Sequence, residues 1–388
     1  MEHEEILHRC FRCGFCKLPG DYSGINCPAY LRYRFESFSP GGRMWLLRAW
    51  LDKKIEADAR LQEVLFSCAT CNNCVEHCIF SKFRDQILSA FIAAKEEMIE
   101  QGTVPPPVRD YLTTLFEHGN PYKMPRKKRG DWAQDLGLES YAGQEYLFYV
   151  GDVGAFDARG SEIARSAAGL LEKLGLSFGI LGAQEGSDGN DAKALGESEL
   201  FRHLAEQNIK VFHKLGVQKI VTLSPHGYNA IKNDYPELDG CFQVFHYTQL
   251  LASLLSTTDW QARSRAAKSR RVTFHDPCYL GRHNQDYESA RQVLASLPGI
   301  ELVEMPRSKS DALCCGGGGG NFFTDLVSSG PETSAKVRVK EAAETGAEVL
   351  VTACPICTLM FEDAVKSQNL EGRLQVREIS EVVTEELP

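Results

Sequence analysis

The octapeptides IVTLSPHG (residues 220–227) and LVTACPIC (residues 350–357) are one pattern written twice, 130 positions apart. Each opens with a β-branched apolar run and turns at a proline, as a buried strand does when it feeds a helix. The match extends outward. The run ending at Asp152 aligns with the run ending HDPC (residues 275–278) at an offset of 126, and Ser187-Asp188-Gly189 aligns with Cys314-Cys315-Gly316 at 127. Residues 146–256 and 271–367 are therefore duplicates. The runs YLFYV, KIVTL, RVTFH and EVLVT alternate with helical stretches, which predicts an α/β region. Where the second half has Cys278, Cys314, Cys315, Cys354 and Cys357, the first has Asp152, Ser187, Asp188, Ser224 and Gly227. The set of five cysteines is present once and absent once.

The rest of the 388-residue chain reads differently. Residues 43–66 and 82–101 carry helical periodicity, the latter closing at Gly102, and TVPPPVRD (103–110) interrupts it. Residues 119–137 are rich in Pro, Gly and basic side chains, as a linker would be. The expected organisation is a Cys-bearing helical unit over 1–118, a linker over 119–145, a degenerate repeat over 146–260 and an intact repeat over 261–388. The net charge of −9 argues against a nucleic-acid partner, and no apolar run reaches 18 residues. The acidic start MEHEEILHRC does not resemble a secretory signal, so a cytoplasmic, reducing setting is expected. In that setting clustered thiols point to metal or redox chemistry.

The 14 cysteines divide as four, four, one and five. C-x2-C-x2-C occurs at Cys10, Cys13, Cys16 and again at Cys68, Cys71, Cys74, with Cys27 and Cys78 as fourth cysteines. Such loops aim three thiolates at one cubane, and in two-cluster ferredoxins the fourth ligand belongs to the other cluster. The expected sets are thus Cys10, Cys13, Cys16 with Cys78, and Cys68, Cys71, Cys74 with Cys27, holding two [4Fe–4S] cubanes. Zinc is the alternative, but its ligands usually come in separated pairs. Ile79 stands where proline normally follows the fourth cysteine. Five thiols in the last set exceed a cubane's four, which leaves either a free nucleophile or a different cluster.

HDPCYLGRHN (275–284), CCGGGGG (314–320) and TACPICTLM (352–360) resemble the CCG-domain iron–sulfur proteins, which include the catalytic subunit of heterodisulfide reductase. With the CxxCxxC pairs, NPY (120–122) and SPHGYNAIKNDYP (224–236), the chain is similar over about residues 5–370 to the members that fuse an α-helical ferredoxin domain to two CCG repeats. The resemblance implies a noncubane [4Fe–4S] cluster on Cys278, Cys314, Cys315, Cys354 and Cys357. It also implies a subunit of a redox complex, paired with a flavoprotein or a membrane quinone or cytochrome subunit. Because the first repeat departs from the family at every ligand, relay of electrons to a partner competes with heterodisulfide-reductase-like thiol chemistry.

Lesser features complete the expectations. Gly316 and Gly317 open a five-glycine run suited to close backbone approach to an anionic cluster. No Lys-Ser/Thr follows it, so it is no P-loop, and no GxGxxG marks a nucleotide site. His275 is a candidate proton donor and His226 its counterpart, with a structural histidine as the alternative for both. Asp152, Asp188 and His226 could form a replacement metal site. Cys241 reads as a spare thiol. The basic runs at Lys123, Arg126, Lys127, Lys128, Arg129 and at Arg263, Arg265, Lys268, Arg270, Arg271 read as solvated linker or docking charge.

Overall fold

A computed structural model describes residues 4–257 and 269–386. The expected apolar runs are strands, each with a buried carboxyl end. Parallel strands β1 (Tyr146–Tyr149), β2 (Phe178–Gly179), β3 (Lys219–Thr222) and β4 (Gln243–His246) form one sheet in the order β2-β1-β3-β4. Strands β5 (Arg270–Phe274), β6 (Ile300–Leu302), β7 (Val349–Thr352) and β8 (Gln375–Glu378) form the second in the order β6-β5-β7-β8. The registers correspond: Leu147 pairs with Ile220 and Val272 with Val349. The order reverses between the two central strands, so their carboxyl ends open a crevice at the point where ligands bind open α/β sheets. Every cysteine position of the duplicated pattern falls on a loop or a first helical turn at that edge. One apolar core joins the sheets, with Phe148 and Val221 of the first in the same cluster as Val272 and Val351 of the second.

The first part of the chain is helical. The expected helix over 43–66 is two, Pro40–Leu51 and Ala59–Phe66. Lys53 adopts a left-handed φ of 55°, and Asp58 restarts the chain by accepting from the Arg60 and Leu61 N–H groups. The TVPPPVRD stretch starts rather than breaks a helix. Pro106 is its first residue, where a missing N–H costs nothing, and Gly119 closes it with a φ of 67°.

The basic stretch 123–129 is not a solvated linker throughout. Arg126–Ala133 form a short 3-10 segment in which Arg129 and Trp132 are buried. Arg270 and Arg271 pair with Glu385 and Glu301, while Arg263, Arg265 and Lys268 lie outside the described residues. Among the described residues no helix is long and apolar enough to cross a membrane.

Candidate functional site

Three groups of thiols come together. Cys10, Cys13, Cys16 and Cys78 surround one cavity, walled by Ile6, Met44 and Ile87. Cys27, Cys68, Cys71 and Cys74 surround a second, with Cys16 at its edge. Among the described residues no three His, Cys, Asp or Glu side chains converge at single-ion distance. The thiols ring spaces rather than close on a point, and two all-sulfur sets of four soft donors fit multi-iron clusters. Burial pushes the Cys16, Cys27 and Cys74 thiols up, so holding them as thiolates requires nearby positive charge. Buried Arg43, bonded to the Val64 carbonyl at 2.8 Å and to Ser67, stands beside Cys27 and opposes that rise.

The third group lies at the crevice of the second sheet. Cys278 follows β5, Cys354 and Cys357 follow β7, and Cys314 and Cys315 arrive on the loop between; all five are buried. Cys314 Sγ lies 3.8 Å from Cys278 Sγ, and Cys357 Sγ lies 3.4 Å from Cys315 Sγ. Donation from Cys314 and Cys357 pushes the Cys315 thiol well below the usual range. The Gly316 N–H points at Cys314 Sγ (3.3 Å) and the Gly317 N–H at Cys315 Sγ (3.5 Å). These two donors and five thiols fit an anionic iron–sulfur group.

The remaining glycines serve another surface. A Cβ on Gly318 would stand 2.6 Å from the Ala69 carbonyl oxygen, and one on Gly319 2.5 Å from that of Cys68. The glycine loop thus lies directly on the second N-terminal cysteine loop. The segment after Cys278 completes the joint. Arg282 Nε donates to the Cys71 carbonyl at 2.7 Å, the His283 ring bonds the Thr70 carbonyl at 2.8 Å, and the Tyr279 and Thr70 hydroxyls bond at 2.9 Å. Cys71 packs in the same buried cluster as Cys278, Cys314 and Cys315, so the second set adjoins the third. Sequence reading overlooked Thr70, Tyr279, Arg282 and His283. The density of polar residues in YLGRHN was the available signal.

His275 is fully buried, and its Nδ1 accepts from Arg338 Nε at 3.4 Å. Burial, with the Arg338 charge, pushes its pKa down to about 3. Among the described residues its Nε2 has no hydrogen-bond partner. Cys241 is exposed and apart from all three groups.

The corresponding crevice of the first sheet holds charges instead of thiols. Asp152, Ser187, Asp188, Asp191, Ser224 and His226 line a cavity closed on one side by Ile356, which lies between Cys354 and Cys357 in the chain. Behind Asp152, buried Arg129 bonds it at 2.7 Å and Glu185 at 3.2 Å. Burial alone would depress the His226 pKa, but the Asp191 carboxylate, helped by Cys354 and Asp188, lifts it to about 9. Asp152, Asp188 and His226 do not meet at a metal ion's spacing.

The "Cysteine-rich domain" family named CCG matches residues 151–232 and 272–362, and the "4Fe-4S dicluster domain" matches residues 6–81. The chain is 33% identical to the probable iron-sulfur-binding oxidoreductase FadF of Bacillus subtilis, over 84% of this chain and 47% of that protein. It is 30% identical to the EtfAB:quinone oxidoreductase of Syntrophomonas wolfei, over 97% of this chain and 58% of that protein. The chain therefore spans about half the length of these relatives. It is 29% identical to one subunit of the dihydromethanophenazine:CoB–CoM heterodisulfide reductase of Methanosarcina barkeri, covering 98% and 94% of the two chains. A Helicobacter pylori hypothetical protein shares the fold, with a TM-score of 0.58 at 10% identity over 92% of this chain and 70% of that one.

Proposed function

The chain belongs to the CCG-domain iron–sulfur oxidoreductase family, and on that premise we propose that it is the electron-transferring subunit of a redox complex. In this reading an α-helical ferredoxin-like domain (1–118) holds two [4Fe–4S] cubanes, on Cys10, Cys13, Cys16, Cys78 and on Cys68, Cys71, Cys74, Cys27. A linker (119–145) leads to two CCG repeats, of which the second (261–388) holds a noncubane [4Fe–4S] cluster on its five cysteines. Such groups, when bound, accept and release single electrons. The protein's part is to hold the three sites in line, keep water from the inner two and set their charge.

The single observation that carries the proposal is the joint between the second and third thiol sets. Cys71 belongs to one set, yet its carbonyl is bound by Arg282 and its side chain packs in one cluster with Cys278 and Cys314 of the other. Arg282 is buried and also bonds the Ala312 carbonyl at 2.6 Å, so it clamps both ligand loops with one guanidinium. The first set is the one open to solvent, with Cys13 exposed, and is the natural point of exchange with a donor or acceptor protein. The partners that fit are a flavoprotein or a membrane quinone or cytochrome subunit, which would supply any membrane attachment.

Iron and acid-labile sulfide per chain test the assignment. The proposal expects more than the roughly eight irons of two cubanes, and fewer than about eight sinks it. A pure relay, with no thiol or disulfide substrate, is the favoured form. The observation for it is the first-repeat crevice, which carries Asp152, Ser187, Asp188, Ser224 and Gly227, with Arg129 paired to Asp152, where a second cluster would complete a two-site disulfide centre. Supplying reduced mediator and a panel of disulfides to the isolated protein decides: turnover with any of them excludes the pure relay.

A further inference from the structure

The first-repeat cavity has charge, enclosure and a shared wall with the five-cysteine site, yet no role in holding a cluster. Its volume is about 40 Å³, room for about one or two water molecules and too small for an organic substrate. Asp191, nine-tenths buried, presents an Oδ1 with no hydrogen-bond partner, its nearest charge being His226 Nδ1 at 3.6 Å. Among the described residues the Asp188 carboxylate accepts from the Asn190 N–H alone, at 2.8 Å on Oδ1. Ile356, on the ligand turn after β7, is part of the lining, and the charge of Cys354 acts on His226 within the cavity.

We propose that this cavity is the proton site of the redox centre: an electron reaching the five cysteines draws a proton from water onto Asp188, and reoxidation returns it. The proposal rests on the electron-transfer reading above. The balance is one electron, delivered from the donor protein through the N-terminal thiol sets, and one proton from bulk water. The only bond formed or broken is the carboxyl O–H on Asp188.

Asp188 is partly exposed, and several elements bring charged or titratable groups to it. Asp191 lies on its own segment, and Asp152, tied to Arg129 and so to Glu185, comes from the loop after β1. Tyr149 and Tyr235 flank it, Tyr235 donating to the Asp188 carbonyl at 3.3 Å, and Tyr111 enters from the N-terminal helices. His226 approaches from the loop after β3. Burial, then Asp152, raises the Asp188 pKa to about 7, against the pull of Asn190 and His226. A small added negative charge next door is enough to change its protonation state near neutral pH.

The test uses the protein loaded with all its clusters, with iron content and electron paramagnetic resonance establishing the third centre first. Absence of that centre is a failure of the functional reading, distinguishable from failure of the proton site. The midpoint potential of the third centre is then followed against pH. The expected result is a fall around pH 7 whose slope approaches about 59 mV for each tenfold change in proton activity. Asp188→Asn removes this slope, and Asp191→Asn moves it to lower pH by withdrawing a like charge. A flat profile in the native protein, or an unchanged slope in Asp188→Asn, overturns the proposal. If Asp188→Asn does not fold, reduced-minus-oxidised infrared spectra of the native protein decide, because a protonated carboxyl band must grow on reduction.

Discussion

Arg129 shows how much one side chain can change the meaning of a sequence run. Amid Lys127, Lys128 and the prolines it reads as solvent-facing charge, but it is 2% exposed and pairs with both Asp152 and Glu185. Nothing in RKKR distinguishes the one arginine that turns inward, because its partners lie 23 and 56 residues away. Its loss leaves two carboxylates buried and unpaired. Arg129→Met is expected to cost about 3–5 kcal/mol, read as a shift of the urea midpoint at unchanged m-value. At the thiols the reverse holds: spacing pointed to the eight N-terminal cysteines, and the family resemblance to the other five. The crossed pairing makes its own prediction. Cys78→Ala should abolish the same paramagnetic signal as Cys13→Ala, and Cys27→Ala the same one as Cys74→Ala; the uncrossed pattern would exchange Cys27 and Cys78.

Among the elements, the central strands β1, β3, β5 and β7 were legible because each is a continuous apolar run buried on both faces. The outer strands β2, β4, β6 and β8 were not. They are two to four residues long and partly exposed, so neither length nor alternation marks them. The five-glycine loop was legible only in half. Approach of backbone N–H groups to sulfur was expected, and Gly316 and Gly317 place theirs there. That Gly318 and Gly319 exist to let another loop come within touching distance depends on which loop packs against them. Gly319→Ala adds a Cβ where Cys68 stands and sets it on a residue with a φ of 62°. The expected cost is about 2–4 kcal/mol, the sum of overpacking and left-handed strain. Electron transfer between the second and third centres should slow, seen as slower reduction of the third centre in rapid-freeze experiments, while the first centre reduces at its native rate.

Across the whole molecule the two repeats are fastened by charge as well as by their shared core. Arg159 of the first bonds Glu362 at 2.7 Å and Glu381 at 2.6 Å in the second. Tyr247, just after β4, donates to Glu378, which is 1% exposed at the end of β8 and also accepts from the Ser380 N–H at 2.8 Å. Burial raises the Glu378 pKa to about 7, against those donors. The folded state therefore keeps a proton that the unfolded chain releases near its ordinary value of 4.5. The contribution is fully present below about pH 4.5 and is lost as pH rises to about 7, by on the order of 3 kcal/mol; Asp188 adds a slope of the same sign. Glu378→Gln should then raise the melting temperature relative to the native protein at pH 8, and the advantage should vanish near pH 4.5. Because both repeats share one core, thermal unfolding of residues 146–386 should appear as a single transition by calorimetry and by circular dichroism.

The sequence by itself determined the division of the cysteines, the duplication and the α/β character of the repeats. These are local facts: a cluster loop needs its thiols at short fixed spacing, a buried strand needs a short apolar run, and a repeat shows itself by self-alignment. Only the tertiary structure decided which thiol sets touch, what fills the first repeat's crevice, and which charges are buried. Those outcomes rest on contacts such as Cys71 with Arg282 and Arg129 with Glu185, 211 and 56 residues apart. Whether a charge is solvated or sealed, and hence its pKa and its use, is set by the partners that packing brings to it rather than by its neighbours in the chain.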